Sequence, residues 1–110
     1  MRAAPIALGE FEQMVLLAVL CVEQQNEDAY GVTVHAELET RTDRQSTRAA
    51  VYMTLDRLEK KGLLRSTLSE PMAVRGGRAR RCYTVTASAK TALRQSRAAL
   101  LRLWEGLAER

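Results

Sequence analysis

The sequence predicts a mainly α (α+β) fold, a winged helix-turn-helix with a C-terminal dimerisation helix. Three observations carry that reading. Residues 46–62 have helical patterning and a basic last turn, Lys60-Lys61-Gly62. Two short strand-like runs follow, 63–68 and 80–85, with Arg75-Gly76-Gly77-Arg78 between them. Beyond Thr86, Leu93, Leu100 and Leu107 recur every seven residues. At 110 residues the chain can bury one modest core but not two. Residues 1–86 are therefore read as the winged helix-turn-helix and 87–110 as the terminal helix.

The first helix is expected from Gly9 to Glu23. Leu8, Phe11, Val15, Ala18, Val19 and Val22 follow three- and four-residue steps along one face. Leu16, Leu17 and Leu20 lie on other faces, so this helix needs cover on more than one side. A second subunit is a natural cover in so small a domain. Gln24-Gln25-Asn26-Glu27 reads as a polar turn, and Asp28 as the N-cap of a helix over 29–40, its carboxylate accepting from a free first-turn amide. Tyr30, Val34 and Leu38 share a stripe on that helix, and Gly31 calls for a close approach by another group.

Ser46 or Thr47 is expected to cap the third helix. Val51, Leu55 and Leu58 form its buried stripe, leaving Thr47, Arg48, Tyr52, Thr54 and Arg57 toward solvent. Gly62 supplies the stop and the lysines suit the negative helix end. The connection between the strands holds Pro71 and the paired glycines, and is too long for a two-residue hairpin turn. The last helix begins after Thr86 and spans about 35 Å if wholly helical. Its leucine spacing, with Ala89, Ser96 and Leu103 on the companion positions, makes an a/d seam suited to a homodimer. Leu93, Leu100, Leu103 and Leu107 are the expected dimer contacts.

Charge is segregated. Residues 1–40 hold one basic and seven acidic side chains, whereas residues 41–81 hold eleven basic and four acidic. A surface that meets a polyanion gathers its cations in this way. Thr47, Arg48 and Tyr52 offer a hydroxyl, a guanidinium and a phenol to the major groove of double-stranded DNA. Tyr30, with Lys60 or Lys61, would hold phosphates. Arg75 and Arg78 would anchor the wing, and Gly76 and Gly77 would let its backbone approach closely. The competing reading is a winged-helix protein-interaction module without DNA binding, which has no need of arginines at a hairpin tip.

Other chemistry finds little support. Cys21 and Cys82 lie 61 positions apart with no metal-ligand spacing, and read as small buried hydrophobes. His35, the only histidine, reads as an exposed helix residue or a phosphate contact. No nucleophile, acid/base pair, phosphate loop, cofactor motif or metal set emerges, so neither an enzyme nor a cofactor is expected. The longest apolar run, Met14 to Val22, is nine residues, about half of a membrane span. A cytoplasmic protein without membrane contact is the expectation. Trp104, one position off the seam, reads either as dimer packing or as an aromatic platform for a small aromatic effector, with Phe11 and Met14 lining the same space.

The chain resembles the PadR family of bacterial transcriptional regulators over nearly its whole length. The likeness lies in Leu8-Gly9-Glu10-Phe11-Glu12, in Asp28-Ala29-Tyr30-Gly31-Val32, and in residues 50–63 with their closing Lys61-Gly62-Leu63. It continues in Arg75-Gly76-Gly77-Arg78-Ala79 and Tyr83-Thr84-Val85-Thr86. The resemblance implies a homodimer acting mainly as a repressor at palindromic operators. The short length looks like the branch with a single terminal helix, in which some members hold aromatic drugs beside a tryptophan at the dimer interface.

Overall fold

The computed structural model describes residues 7–69 and 80–107. Its elements run α1 (Glu10–Gln24), α2 (Gly31–Arg41), α3 (Arg48–Lys60), β1 (Leu64–Leu68), β2 (Arg81–Val85) and α4 (Ala87–Glu105). The order and type match the expected fold.

α1 starts where Glu12 Oε1 accepts from the Gly9 N–H at 3.0 Å, closing one of the free amides of a helix start. It ends in the polar turn, where Asn26 takes the left-handed conformation, φ 61°. Val15, Leu16 and Val19 are fully buried, so α1 is the central helix and packs against α2, α3 and β2. Leu17, in contrast, is exposed.

α2 begins two residues later than expected. The Ala29 carbonyl is taken by the Tyr83 N–H of β2, at 2.8 Å, which holds residues 28–30 extended beside the sheet and out of the helix. The N-cap is therefore Tyr30 rather than Asp28. The Thr33 hydroxyl accepts from the Tyr30 N–H at 3.0 Å and donates to the Asp28 carbonyl at 2.7 Å. Gly31 meets the close approach its position implied: a Cβ there would lie 1.6 Å from Tyr52 Cε1. The two helices thus touch through a ring laid on bare backbone.

α3 is capped by Thr47, whose hydroxyl accepts from the Ala50 N–H at 3.0 Å. Val51, Leu55 and Leu58 are fully buried as expected. Thr54, expected toward solvent, is 3% exposed; three residues from Val51, it falls on the buried side. Gly62 closes the helix at φ 78°, a conformation that favours glycine, and the Leu63 N–H returns to the Leu58 carbonyl at 2.9 Å.

β1 and β2 pair antiparallel, Leu64 opposite Val85 and Leu68 opposite Arg81. Leu64, Tyr83 and Val85 face the core; Arg65, Thr67 and Thr84 face out. Thr86 then caps α4 by accepting from the Ala89 N–H at 3.3 Å. Its hydroxyl also donates to the Gly62 carbonyl at 3.0 Å, joining the end of α3 to the start of α4. Ala89, Ala92 and Leu93 are buried within the chain. Leu93 therefore belongs to the protomer's own core rather than to an open seam.

Candidate nucleic-acid interface

α2, the turn after it and α3 form the helix-turn-helix. His35 fixes the turn. Its Nε2 donates to the Ser46 carbonyl at 2.7 Å, and Nδ1 lies 3.6 Å from the Glu39 carboxylate. With its side chain only 14% exposed, His35 is a strut between the two helices rather than an exposed residue. Arg44 steadies the same turn from outside: it pairs with Glu10 at 2.6 Å and its guanidinium lies 5.1 Å from the Phe11 ring centroid.

The outward side of α3 follows from its buried side. At 100° per residue, the ridge opposite Val51, Leu55 and Leu58 is Ala49, Met53, Asp56 and Lys60, all exposed. Arg48 and Tyr52 flank that ridge on the side toward α2 and the sheet, with Tyr52 46% exposed above Gly31. Arg57 flanks it toward α1. The Thr47 hydroxyl is committed to the cap as an acceptor but keeps its proton to donate.

The base of the wing closes a small recess lined by Tyr30, Gly31, Val32, Tyr52, Arg80, Arg81 and Tyr83. The Arg80 guanidinium sits 4.5 Å over the Tyr30 ring. Arg81 Nη1 donates to Ser66 Oγ at 2.8 Å, and Ser66 in turn donates to Glu59. These contacts tie the wing's base to α2 and α3. Arg75, Gly76, Gly77 and Arg78, the expected wing tip, lie outside the described residues.

The two lysines at the end of α3 differ. Lys60 pairs with Asp56 at 2.9 Å, both well exposed. Lys61 reaches Glu12 at 2.8 Å, and Arg57 lies 3.8 Å from the same carboxylate. Burial works to raise the Glu12 pKa, but the Lys61 hydrogen bond, the Gly9 N–H and the charges of Lys61 and Arg57 outweigh it and hold the carboxyl below its usual range. Lys61 is thus shared between α1 and solvent. Arg48 and Arg65 make no ion pair among the described residues.

The last turns of α4 overhang the rest. Leu100, Leu101, Leu103 and Leu107 are exposed, and Trp104 is 62% exposed. The helix stops at Glu105, so Leu107 lies past its end. Between α4 and α1 runs an apolar groove of about 520 Å³ lined by Leu17, Leu20, Leu93, Leu100, Leu101 and Trp104, with Gln13, Lys90, Arg94 and Arg97 at its polar edges. Ser96 Oγ donates to Gln13 Oε1 across it at 2.9 Å. Phe11 and Met14 do not join Trp104 there. Phe11 faces the turn before α3, and Met14 lines a separate recess with Cys21 and Leu38. The α1 residues that line this groove are Gln13, Leu17 and Leu20.

The model of the PadR-like family of transcriptional regulators matches residues 16–95. The chain belongs to the PadR-like family. Its fold is similar to that of a PadR family transcription regulator from Clostridium difficile, at 21% identity and TM-score 0.67, over 86% of this chain and 92% of that one. A PadR family transcriptional regulator from Eggerthella lenta matches at 26% identity and TM-score 0.63, over 86% of this chain and 80% of the other. The smu.1704 protein of Streptococcus mutans matches at 20% identity and TM-score 0.61, over 99% of both. No curated protein sequence matches significantly. This PadR-like chain is accordingly a DNA-binding transcriptional regulator and not an enzyme. No described helix is long and apolar enough to cross a membrane.

Two features of this interface in the PadR-like chain depend on the fold rather than on local pattern. Met53 and Ala49 stand on an outward ridge whose apolar members a list of polar side chains passes over; their angle to the buried Val51 places them there. Arg80 and Arg81 were visible as part of an arginine cluster. Their bonds to Tyr30 and Ser66 depend on sheet register, which no local pattern supplies. Cys21 and Cys82, expected to be buried, are only partly so; burial, together with the Asp28 charge, pushes the Cys82 thiol pKa up.

Proposed function

We propose that this PadR-like regulator is a cytoplasmic homodimeric repressor that binds a palindromic operator. Residues 1–86 would hold the DNA and residues 87–110 would pair two copies. The observation that carries the DNA contact is the open side of α3: a capped helix N-terminus and an exposed Arg48 without an ion pair among the described residues, continuous with Tyr52, Arg80 and Tyr30 at the wing base. In this reading Thr47, Arg48 and Tyr52 approach bases. Tyr30, Lys60 and Lys61 meet phosphates, and Arg75 and Arg78 with Gly76 and Gly77 seat the wing. Base contacts give sequence choice and phosphate contacts give affinity.

Pairing is supported by the overhanging apolar turns of α4, where Leu100, Leu103, Trp104 and Leu107 are 53–70% exposed. The groove beside Trp104 supports release by a small aromatic ligand, since an indole and five leucines give a planar apolar body both a stacking face and walls.

Fluorescence anisotropy on labelled duplexes from the protein's own promoter tests the reading. Binding should weaken steeply with salt. Arg78→Ala should lower both the affinity and the slope of log K against log salt, by about one. Salt-independent or absent binding overturns it. For the ligand, planar aromatic compounds should shift the emission of Trp104, the sole tryptophan; unchanged emission across a broad panel overturns release by such compounds.

A further inference from the structure

α3 presents an apolar strip where a DNA-contacting helix would be expected to carry polar groups. Met53 is 65% exposed, and Ala49, one turn earlier, is exposed on the same ridge. Neither belongs to the buried core. Arg48 and Tyr52 flank the strip on one side, while Asp56 and Lys60, paired at 2.9 Å, continue it. In the major groove the one apolar feature among the base edges is the C5-methyl group of thymine. A methyl side chain and a flexible thioether about 6 Å apart along the axis span roughly two base-pair steps at 3.4 Å each.

We propose that Met53, with Ala49 beside it, is a specificity-determining contact that reads thymine C5-methyl groups in each operator half-site. The inference rests on α3 being the helix that enters the major groove. Arg48 and Tyr52 then fix the helix against the duplex, and Met53 discriminates by burying a methyl group. At any other base this thioether would face polar edges and leave their hydrogen-bonding groups without a partner. The Asp56–Lys60 pair neutralises the carboxylate that follows Met53 on the ridge, which lets the strip approach the duplex without repulsion.

The test uses the full chain and a duplex selected by it from a random-sequence pool. Each thymine of the half-site is replaced singly by deoxyuridine, which keeps pairing and removes only the methyl. The expected result is about a fourfold loss of affinity at one or two adjacent positions, the worth of one buried methyl group, with no loss elsewhere. Met53→Ala should bind the thymine duplex more weakly and be indifferent to uracil at those positions, while its non-specific affinity and its salt slope stay unchanged. Because Met53 is outside the core, this variant should melt as the parent does. Indifference of the parent to uracil at every position, a selected half-site without thymine, or full uracil sensitivity in Met53→Ala overturns the proposal. A parent that binds duplex with a steep salt slope but ignores the methyl overturns this inference alone. Absence of salt-dependent binding to any duplex overturns the DNA reading beneath it as well.

Discussion

The Glu12 carboxylate is the most constrained charge in the described chain. It sits at the first turn of α1, yet its partners Lys61 and Arg57 come from the end of α3. Because its pKa is held down in the folded state, the stability it contributes is present above the unfolded carboxylate value of about 4.3 and is lost as pH falls through the lower folded value. Glu12→Gln should therefore be destabilised at pH 7 by about 1.5–3 kcal/mol, the range for hydrogen bonds to charged groups. The gap from the parent should close at an acid pH low enough to protonate Glu12 in the folded protein. Urea unfolding at both pH values checks this; a gap independent of pH would contradict it. At the same scale, Arg48→Ala should leave the melting temperature unchanged and lower the salt slope of DNA binding by about one, since Arg48 is exposed and makes no ion pair among the described residues.

Between elements, the decisive contact is the Tyr52 ring against the Gly31 backbone. A methyl group at position 31 collides with the far edge of that ring. Tyr52 is half exposed and can swing away, while alanine is the better helix former, at this first helical position by less than the ~1 kcal/mol of a helix interior. Gly31→Ala is thus expected to keep or raise thermal stability and yet weaken DNA binding, through displacement of the phenol. Calorimetry and anisotropy on one preparation separate the two effects; equal affinity in both proteins would show that Tyr52 contributes nothing to the DNA. Much at this scale was legible in the sequence. Val51, Leu55 and Leu58 announce the buried stripe of α3, Gly62 its end, and Gly31 its neighbour's approach, because helical spacing and backbone freedom are local properties. What escaped was set by tertiary contacts. The start of α2 moved because Tyr83 claims the Ala29 carbonyl, and His35 became a strut because a turn eleven residues away offers it a carbonyl. The seven-residue spacing likewise hid a division within α4: Leu93 closes the protomer's core, whereas Leu100 and Leu103 stand clear of it.

For the molecule as a whole, that division gives α4 one task within the protomer, to complete its core, and in the proposed dimer a second, to hold the partner. Leu100→Glu with Leu103→Glu should convert a dimer to a monomer by analytical ultracentrifugation while the far-ultraviolet spectrum stays helical; an unchanged mass would move the interface elsewhere. The charge layout fits the same division, with cations gathered on α3 and the wing and acids on the first forty residues. Glu12, the buried acid among them, anchors the basic end of α3 to α1. The central claim is that this basic side of α3 and the wing base grips duplex DNA. Anisotropy of the full chain on a selected duplex over a range of salt concentrations tests it most directly. The account requires log K to fall linearly with log salt at a slope of several units for the parent, and at a slope shallower by about one for Arg48→Ala. A flat slope, or identical slopes for the two proteins, would contradict it.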